Sequence, residues 1–126
     1  MKEIFLNKET MIVSETDAKG HILYANSDFC TIAGYTKAEL IGKQHNLVRH
    51  KNMPKAAFKD LWKTVQSGNI WNGIVQNATK DGDFYWVNAT AYPSIDSKGN
   101  KRYISVRVKP TKEEVENAIK LYKMLE

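Results

Sequence analysis

Hydrophobic and polar positions along this chain switch between a period of two and a period of three to four, and each switch falls at a recognisable turn or cap. Met11 to Thr16 and His21 to Ala25 read as two short strands, with Asp17-Ala-Lys-Gly20 supplying Asp and Gly where a tight turn needs them. The pair predicts a hairpin. Asn26 then stands where it can cap a helix, Phe29, Ile32 and Ala33 recur at helical spacing, and Gly34 stops the run. Thr36-Lys-Ala-Glu39 matches a capping box, so a second short helix begins there and ends at Gly42.

From Gln44 to Asn52 no period is visible. Pro54 suits a first helical turn, and Ala57, Phe58, Leu61, Trp62 and Val65 fall on one face before Gly68, which predicts the longest central helix. Ile70 to Thr79, Phe84 to Ser94 and Lys101 to Lys109 are extended segments separated by Lys-Asp-Gly-Asp and Asp-Ser-Lys-Gly-Asn, the pattern of an antiparallel meander. A second capping box, Thr111-Lys-Glu-Glu114, opens a helix whose stripe is Val115, Ala118, Ile119, Tyr122 and Leu125. That sticky face has two uses: packing on the domain's own sheet, or continuing as a longer signalling helix. The class is α+β, with residues 1–10 as an N-terminal segment, 11–110 as one domain and 111–126 as a C-terminal helix.

Composition narrows the function. The chain has 126 residues, enough for a single core, and no internal repeat or linker divides it. No run approaches the roughly 18 apolar residues of a membrane span, and the first ten residues lack the apolar stretch of a signal peptide, so a cytoplasmic domain without direct membrane insertion is expected. One cysteine, Cys30, excludes an intrachain disulfide and a Cys-based zinc site. The net charge of +5 permits nucleic acid, but the 19 basic residues are scattered among 14 acidic ones. Even the densest cluster, Lys109, Lys112, Lys120 and Lys123, alternates with Glu113, Glu114, Glu116 and Glu126 as a solvated helix face does. No nucleic-acid partner is expected.

Gln44 to Asn77 concentrates the chemistry: two of the three His, Arg49, Phe58, Trp62 and Trp71. Aromatic faces mixed with cationic donors suit a planar, partly polar ligand. The motif Asp17-x-x-Gly20-x-Ile22-x-Tyr24-Ala25-Asn26-x-x-Phe29, followed by Gly34-Tyr35-Thr36-x-x-Glu39-Leu40-x-Gly42, resembles the entry motif of PAS sensor domains. His45-Asn46-x-Val48-Arg49-His50-x-x-Met53-Pro54-x-x-Ala57-Phe58-x-x-x-Trp62, then Gly68-x-x-Trp71-x-Gly73-x-Val75-x-Asn77, is narrower and resembles the PAS domain of bacterial aerotaxis (Aer-type) receptors. Lys80-x-Gly82-Asp83-x-Tyr85-Trp86-Val87 and Leu121-Tyr122-Lys123 extend the resemblance to nearly the whole chain from Met11.

That resemblance implies a five-stranded antiparallel sheet with short helices and one longer central helix on one side, plus the C-terminal helix. It also implies FAD, a redox-sensing role, and a chemotaxis-type signalling domain or receptor as partner, with a homodimer or PAS–PAS contact. By the same resemblance Trp62 and Phe58 would face the ring system and Trp71 would close the pocket. Arg49 and His50 would reach the adenosine or diphosphate portion, and His45, Asn26 and Asn77 would join the site. Asn77 shares a strand face with Gly73 and Val75, and a buried amide there needs a polar partner. Asn88 is added from strand geometry, and Tyr85, Trp86 and Tyr92 are assigned to sheet packing or an interface. The family often carries Asp where this chain has Asn52.

Competing readings have their own signals. A substrate-converting flavoenzyme would need a dinucleotide loop or catalytic triad, and neither is visible, so no enzymatic activity is expected. A light-driven cysteine adduct is disfavoured because Cys30 lies in the first helix. A haem sensor would use His45 or His50 as axial ligand, and a cofactor-free interaction module would use neither.

Overall fold

The computed structural model describes residues 1–125. β1 (Met11–Asp17) and β2 (Ile22–Ala25) form the expected hairpin, and β3 (Trp71–Ala78), β4 (Phe84–Ile95) and β5 (Lys101–Val108) form the meander. All join one antiparallel sheet in the order β2-β1-β5-β4-β3, so the first and last parts of the domain meet where β1 pairs β5, Met11 opposite Val108. A register shift between Glu15 and Thr16 accommodates the tightly turned hairpin.

The connecting helices follow their caps. Asn26 accepts from the Phe29 N–H to start α1 (Ser27–Ala33), and Gly34, at φ +80°, closes it. Thr36 and Glu39 form the reciprocal capping box of α2 (Lys37–Leu40), which stops two residues earlier than Gly42. The aperiodic stretch after it contains a single 3₁₀ turn, His45–Val48. Pro54 serves as the N-cap residue of α3 (Lys55–Gln66), one position before the first turn that its ring was expected to occupy. The 12-residue helix packs on β3 and β4 with Ala57 and Val65 buried.

Strand alternation divides the sheet into two working faces. Ile12, Ser14 and Thr16, Val75 and Asn77, Val87, Ala89 and Ala91, and Tyr103 and Arg107 point toward α1 and α3 and are buried there. Phe29, Leu40 and Val48 complete this core. The other face carries Trp86 and Asn88, and α4 (Lys112–Met124) crosses it. Ala118 is buried, Asn88 Nδ2 donates to Glu114 Oε2 at 3.1 Å, and the Tyr122 hydroxyl donates to the Ile74 carbonyl. Ala118 and Tyr122 of the α4 stripe therefore lie on the domain's own sheet, while Ile119 and Leu125 stay exposed.

The N-terminal segment, which has no periodic pattern, is also held. Ile4 N–H donates to the Phe84 carbonyl at 2.7 Å and Phe84 N–H donates to that of Lys2 at 3.1 Å. Lys2 N–H reaches Asp83 Oδ1, and Leu6 is buried in the core. Among the described residues no helix is long and apolar enough to cross a membrane.

Candidate functional site

A cavity of about 230 Å³ lies between α3, the 3₁₀ turn and the inner face of the sheet. Its aromatic wall comes from α3, where Phe58, Leu61, Trp62 and Val65 follow the three-and-four spacing. The Trp62 ring meets Tyr103 edge-on, 5.3 Å between centroids at 90°. Val75, Ala89 and Ala91 make a floor of small side chains, which leaves room above the strands.

One end of the cavity is polar. Arg107, on β5, is 2% exposed, and its Nη2 donates to Ser14 Oγ at 2.7 Å while its guanidinium lies 4.5 Å from the centre of the Phe29 ring. Its Nε and Nη1 have no hydrogen-bond partner among the described residues, and no carboxylate pairs with it. Burial lowers its pKa to about 10, with Tyr85 pulling the other way, so it remains a cation at neutral pH. An uncompensated buried charge is among the costliest groups a core can hold. Asn77 Nδ2 and Arg49 Nε are likewise buried without partners, and both residues line the same cavity.

Ser14 Oγ also lies 2.9 Å from His45 Nε2. Arginine only donates, so the chain is complete when the Ser14 hydroxyl donates to Nε2 and the imidazole carries its proton on Nδ1. Burial first, then the Arg107 and Arg49 charges, hold the His45 pKa down to about 3, which keeps the ring neutral. Arg49 lays its guanidinium 3.7 Å from the Phe58 ring centre, a cation–π contact at the cavity wall.

The structure therefore brings together five of the eight residues singled out in the sequence: Trp62, Phe58, Asn77, Arg49 and His45. Three stand elsewhere. His50 is buried outside the cavity, where its Nδ1 accepts the Asn52 N–H at 3.0 Å and its ring meets Phe84 edge-on. Asn26 is spent on local bonds, its Oδ1 accepting from Val13 and Phe29 N–H and its Nδ2 donating to the Met11 carbonyl. Trp71 turns its Nε1–H to Asp60 Oδ2 at 2.9 Å and packs α3 on β3. Asn88 lies on the opposite face, bonded to Asn72 and Glu114.

A family defined by the PAS fold matches residues 22–107. The chain belongs to the PAS family. This PAS domain is 45% identical over 120 residues to the aerotaxis receptor of Escherichia coli K12, covering 95% of the chain and 24% of the receptor. It is 27% identical over 103 residues to the nitrogen fixation regulatory protein of Klebsiella oxytoca, covering 81% of the chain and 21% of that protein. The chain thus spans about a quarter of the length of these curated relatives. Among solved structures, the dark-state LOV domain of the blue-light photoreceptor Aureochrome1 superposes with a TM-score of 0.75 at 21% identity, covering 90% of this chain and 85% of that one.

Sequence reasoning missed the PAS domain's Arg107 and Ser14. The signal was present in β5 as Tyr103-x-Ser105-x-Arg107, a set sharing one face, but the alternating Ile104, Val106 and Val108 are the more apolar set, and of these Ile104 alone reaches the cavity lining. In a sheet covered on both sides, hydrophobic alternation does not mark the face that holds a ligand.

Proposed function

We propose that the cavity binds the isoalloxazine head of a flavin, as FAD, and that the domain senses redox state for a signalling partner of chemotaxis type, working in the cytoplasm without turning over a substrate. The observation that carries this reading is Arg107, a buried cation with two unpartnered nitrogens, Nε and Nη1, among the residues that line an aromatic-walled cavity. A flat ring with carbonyl oxygens and ring nitrogens along one edge would satisfy Arg107 and Asn77 while its faces contact Trp62 and Leu61. The resemblance to the aerotaxis-receptor PAS domain supports the same choice.

A bound flavin would supply one- and two-electron redox chemistry. The residues supply the response. Arg107 would stabilise added negative charge at short range in a low-dielectric site, and the Asn77 amide can rotate to exchange donor for acceptor. Arg107 is linked through Ser14 to His45, so its movement loads β5, β1 and the 3₁₀ turn together. On the other face, α4 is bonded to β3 at Ile74 and to β4 at Asn88, so a shift of the strands reaches the helix that would contact the partner. A preference of a few kcal/mol between two sheet–helix arrangements suffices for a switch.

A cavity of 230 Å³ is slightly below the roughly 300–1,000 Å³ of small-molecule sites, which suits a ring system whose ribityl and nucleotide portions leave through the mouth. The FAD form rests on Arg49 at that wall. Haem is disfavoured, since His50 lies off the cavity and His45 Nε2 is engaged by Ser14. The absorption spectrum of the purified protein tests the proposal. The paired blue and near-ultraviolet bands of oxidised flavin are expected; a Soret band, or colourless protein that takes up no added FAD, would overturn it.

A further inference from the structure

At the mouth of the cavity a second hydrogen-bonded chain runs outward to the surface. Asp17, at the end of β1, accepts the N–H groups of Lys19 and His21 on Oδ1, both at 2.9 Å, and faces His21 Nδ1 with Oδ2 at 3.1 Å. Burial pushes the Asp17 carboxyl up, but the backbone N–H groups of His21 and Lys19 and the His21 ring outweigh it and hold the pKa below the ordinary carboxylate value. An ionised carboxylate only accepts, so Nδ1 of His21 carries the proton and, in the neutral ring, Nε2 is an acceptor. Gln44 completes the chain, its Nε2 standing 3.1 Å from His21 Nε2 as donor.

This fixes the direction of the Gln44 amide. With its nitrogen committed to His21, its oxygen turns to Gly20, where Oε1 lies 3.1 Å from the position a Cβ would take and Trp62 Cζ2 lies 3.4 Å from the same point. Gly20, at φ +86°, is the bare patch over which the amide oxygen and the indole converge, and all three line the cavity. We propose that Asp17, His21 and Gln44 are a positioning relay that presents the Gln44 amide oxygen to a hydrogen-bond donor of the bound ligand, and that protonation of His21 reverses this amide and loosens the grip. The inference rests on the flavin reading for the ligand's identity, a polyol hydroxyl or ring N–H being the donor.

The reversal follows from donor counting. Doubly protonated imidazole donates from both nitrogens, so Gln44 must turn its oxygen to Nε2 and show its NH₂ to the mouth. The charges around His21 are Asp17 and Lys19 in its own turn, Lys43 on the segment whose carbonyl accepts the Ile22 N–H, and Arg102, the ladder partner of Asp17, which is held by Asp96 at 2.8 Å. From α3 the neighbour is the neutral Trp62. His45, held down to about 3, stays neutral well below neutral pH.

Riboflavin, which has no phosphate to titrate, is the probe. Its dissociation constant from the whole protein, read by flavin fluorescence, should be about three- to tenfold weaker at pH 5 than at pH 8, the worth of one neutral hydrogen bond. His21→Gln should flatten that difference, and Gln44→Leu should bind at the weaker level at both pH values. The same pH dependence in His21→Gln as in the parent would overturn the relay. A ligand-free measurement separates the two readings: the Gln44 side-chain amide NMR signals should move with pH in step with the His21 ring signals. If riboflavin binds at no pH, the flavin reading fails while the relay is still decided by that titration; Gln44 signals indifferent to the His21 transition sink the relay even if flavin binds.

Discussion

Arg107 concentrates the energetic tension of the site in one side chain. Replacing it with Leu removes a buried charge whose guanidinium has a single hydrogen-bond partner among the described residues, so the ligand-free protein is expected to hold its stability or gain about 1–3 kcal/mol, while flavin affinity falls. Denaturant midpoints with and without flavin check this; a loss of stability without ligand would show that the cation serves the fold. Trp62→Ala should lower flavin occupancy by about tenfold or more with the circular dichroism spectrum unchanged, since the aromatic contact on one ring face is lost. Unchanged occupancy removes Trp62 from the site. Arg49→Ala should weaken FAD more than riboflavin; equal losses would contradict a phosphate role. Phe58 and Trp62 were legible because helical spacing fixes which side chains share a face. Asn26 was legible as the cap of α1, the role that consumes its side chain, whereas His50 was not, because its Nδ1 is taken by the nearby Asn52 N–H, geometry that residue type alone does not disclose.

Caps and turns were legible at the scale of elements because their signals are local. Both capping boxes form as written, at Thr36 and Glu39 and at Thr111 and Glu114. The stretch from Gln44 to Asn52 was opaque for the converse reason: a 3₁₀ turn is too short for a period, and Arg49 is fixed by a bridge to Asn77 far along the chain. The strand interior of β3 holds a further constraint. A Cβ on Gly73 would stand 2.4 Å from Cη2 of the Trp71 ring, which lies across it. Gly73→Ala is therefore expected to cost about 1–3 kcal/mol, as overpacking does, and to displace the indole from Asp60. Thermal unfolding and the Trp fluorescence maximum report it; an unshifted melting temperature would mean that the ring relaxes freely.

Acid response is a property of the whole molecule. His45 has a folded pKa of about 3 against an ordinary 6.5, so between those values the unfolded chain binds the proton that the folded one refuses. Its contribution to stability is complete above about pH 6.5 and is lost progressively as the pH falls toward 3. Urea midpoints from pH 7 to 4 should decline, and His45→Asn should decline less steeply; parallel curves would move the acid sensitivity to other groups. Sheet order was reached through the family resemblance, because pairing β1 with β5 brings Met11 to Val108 and no local pattern encodes so distant a contact.

The first strand-like pattern begins at Met11, which makes it the tempting place to start a shortened version of this protein. Such a trimming would strip the backbone partners of Phe84, uncover the flank of the meander where β4 extends beyond β5, and pull the Leu6 plug from the interior. Bare strand flanks recruit one another. Poor solubility in a trimmed preparation would then report a lost selvedge of ten residues, while the cavity beneath α3 remained sound.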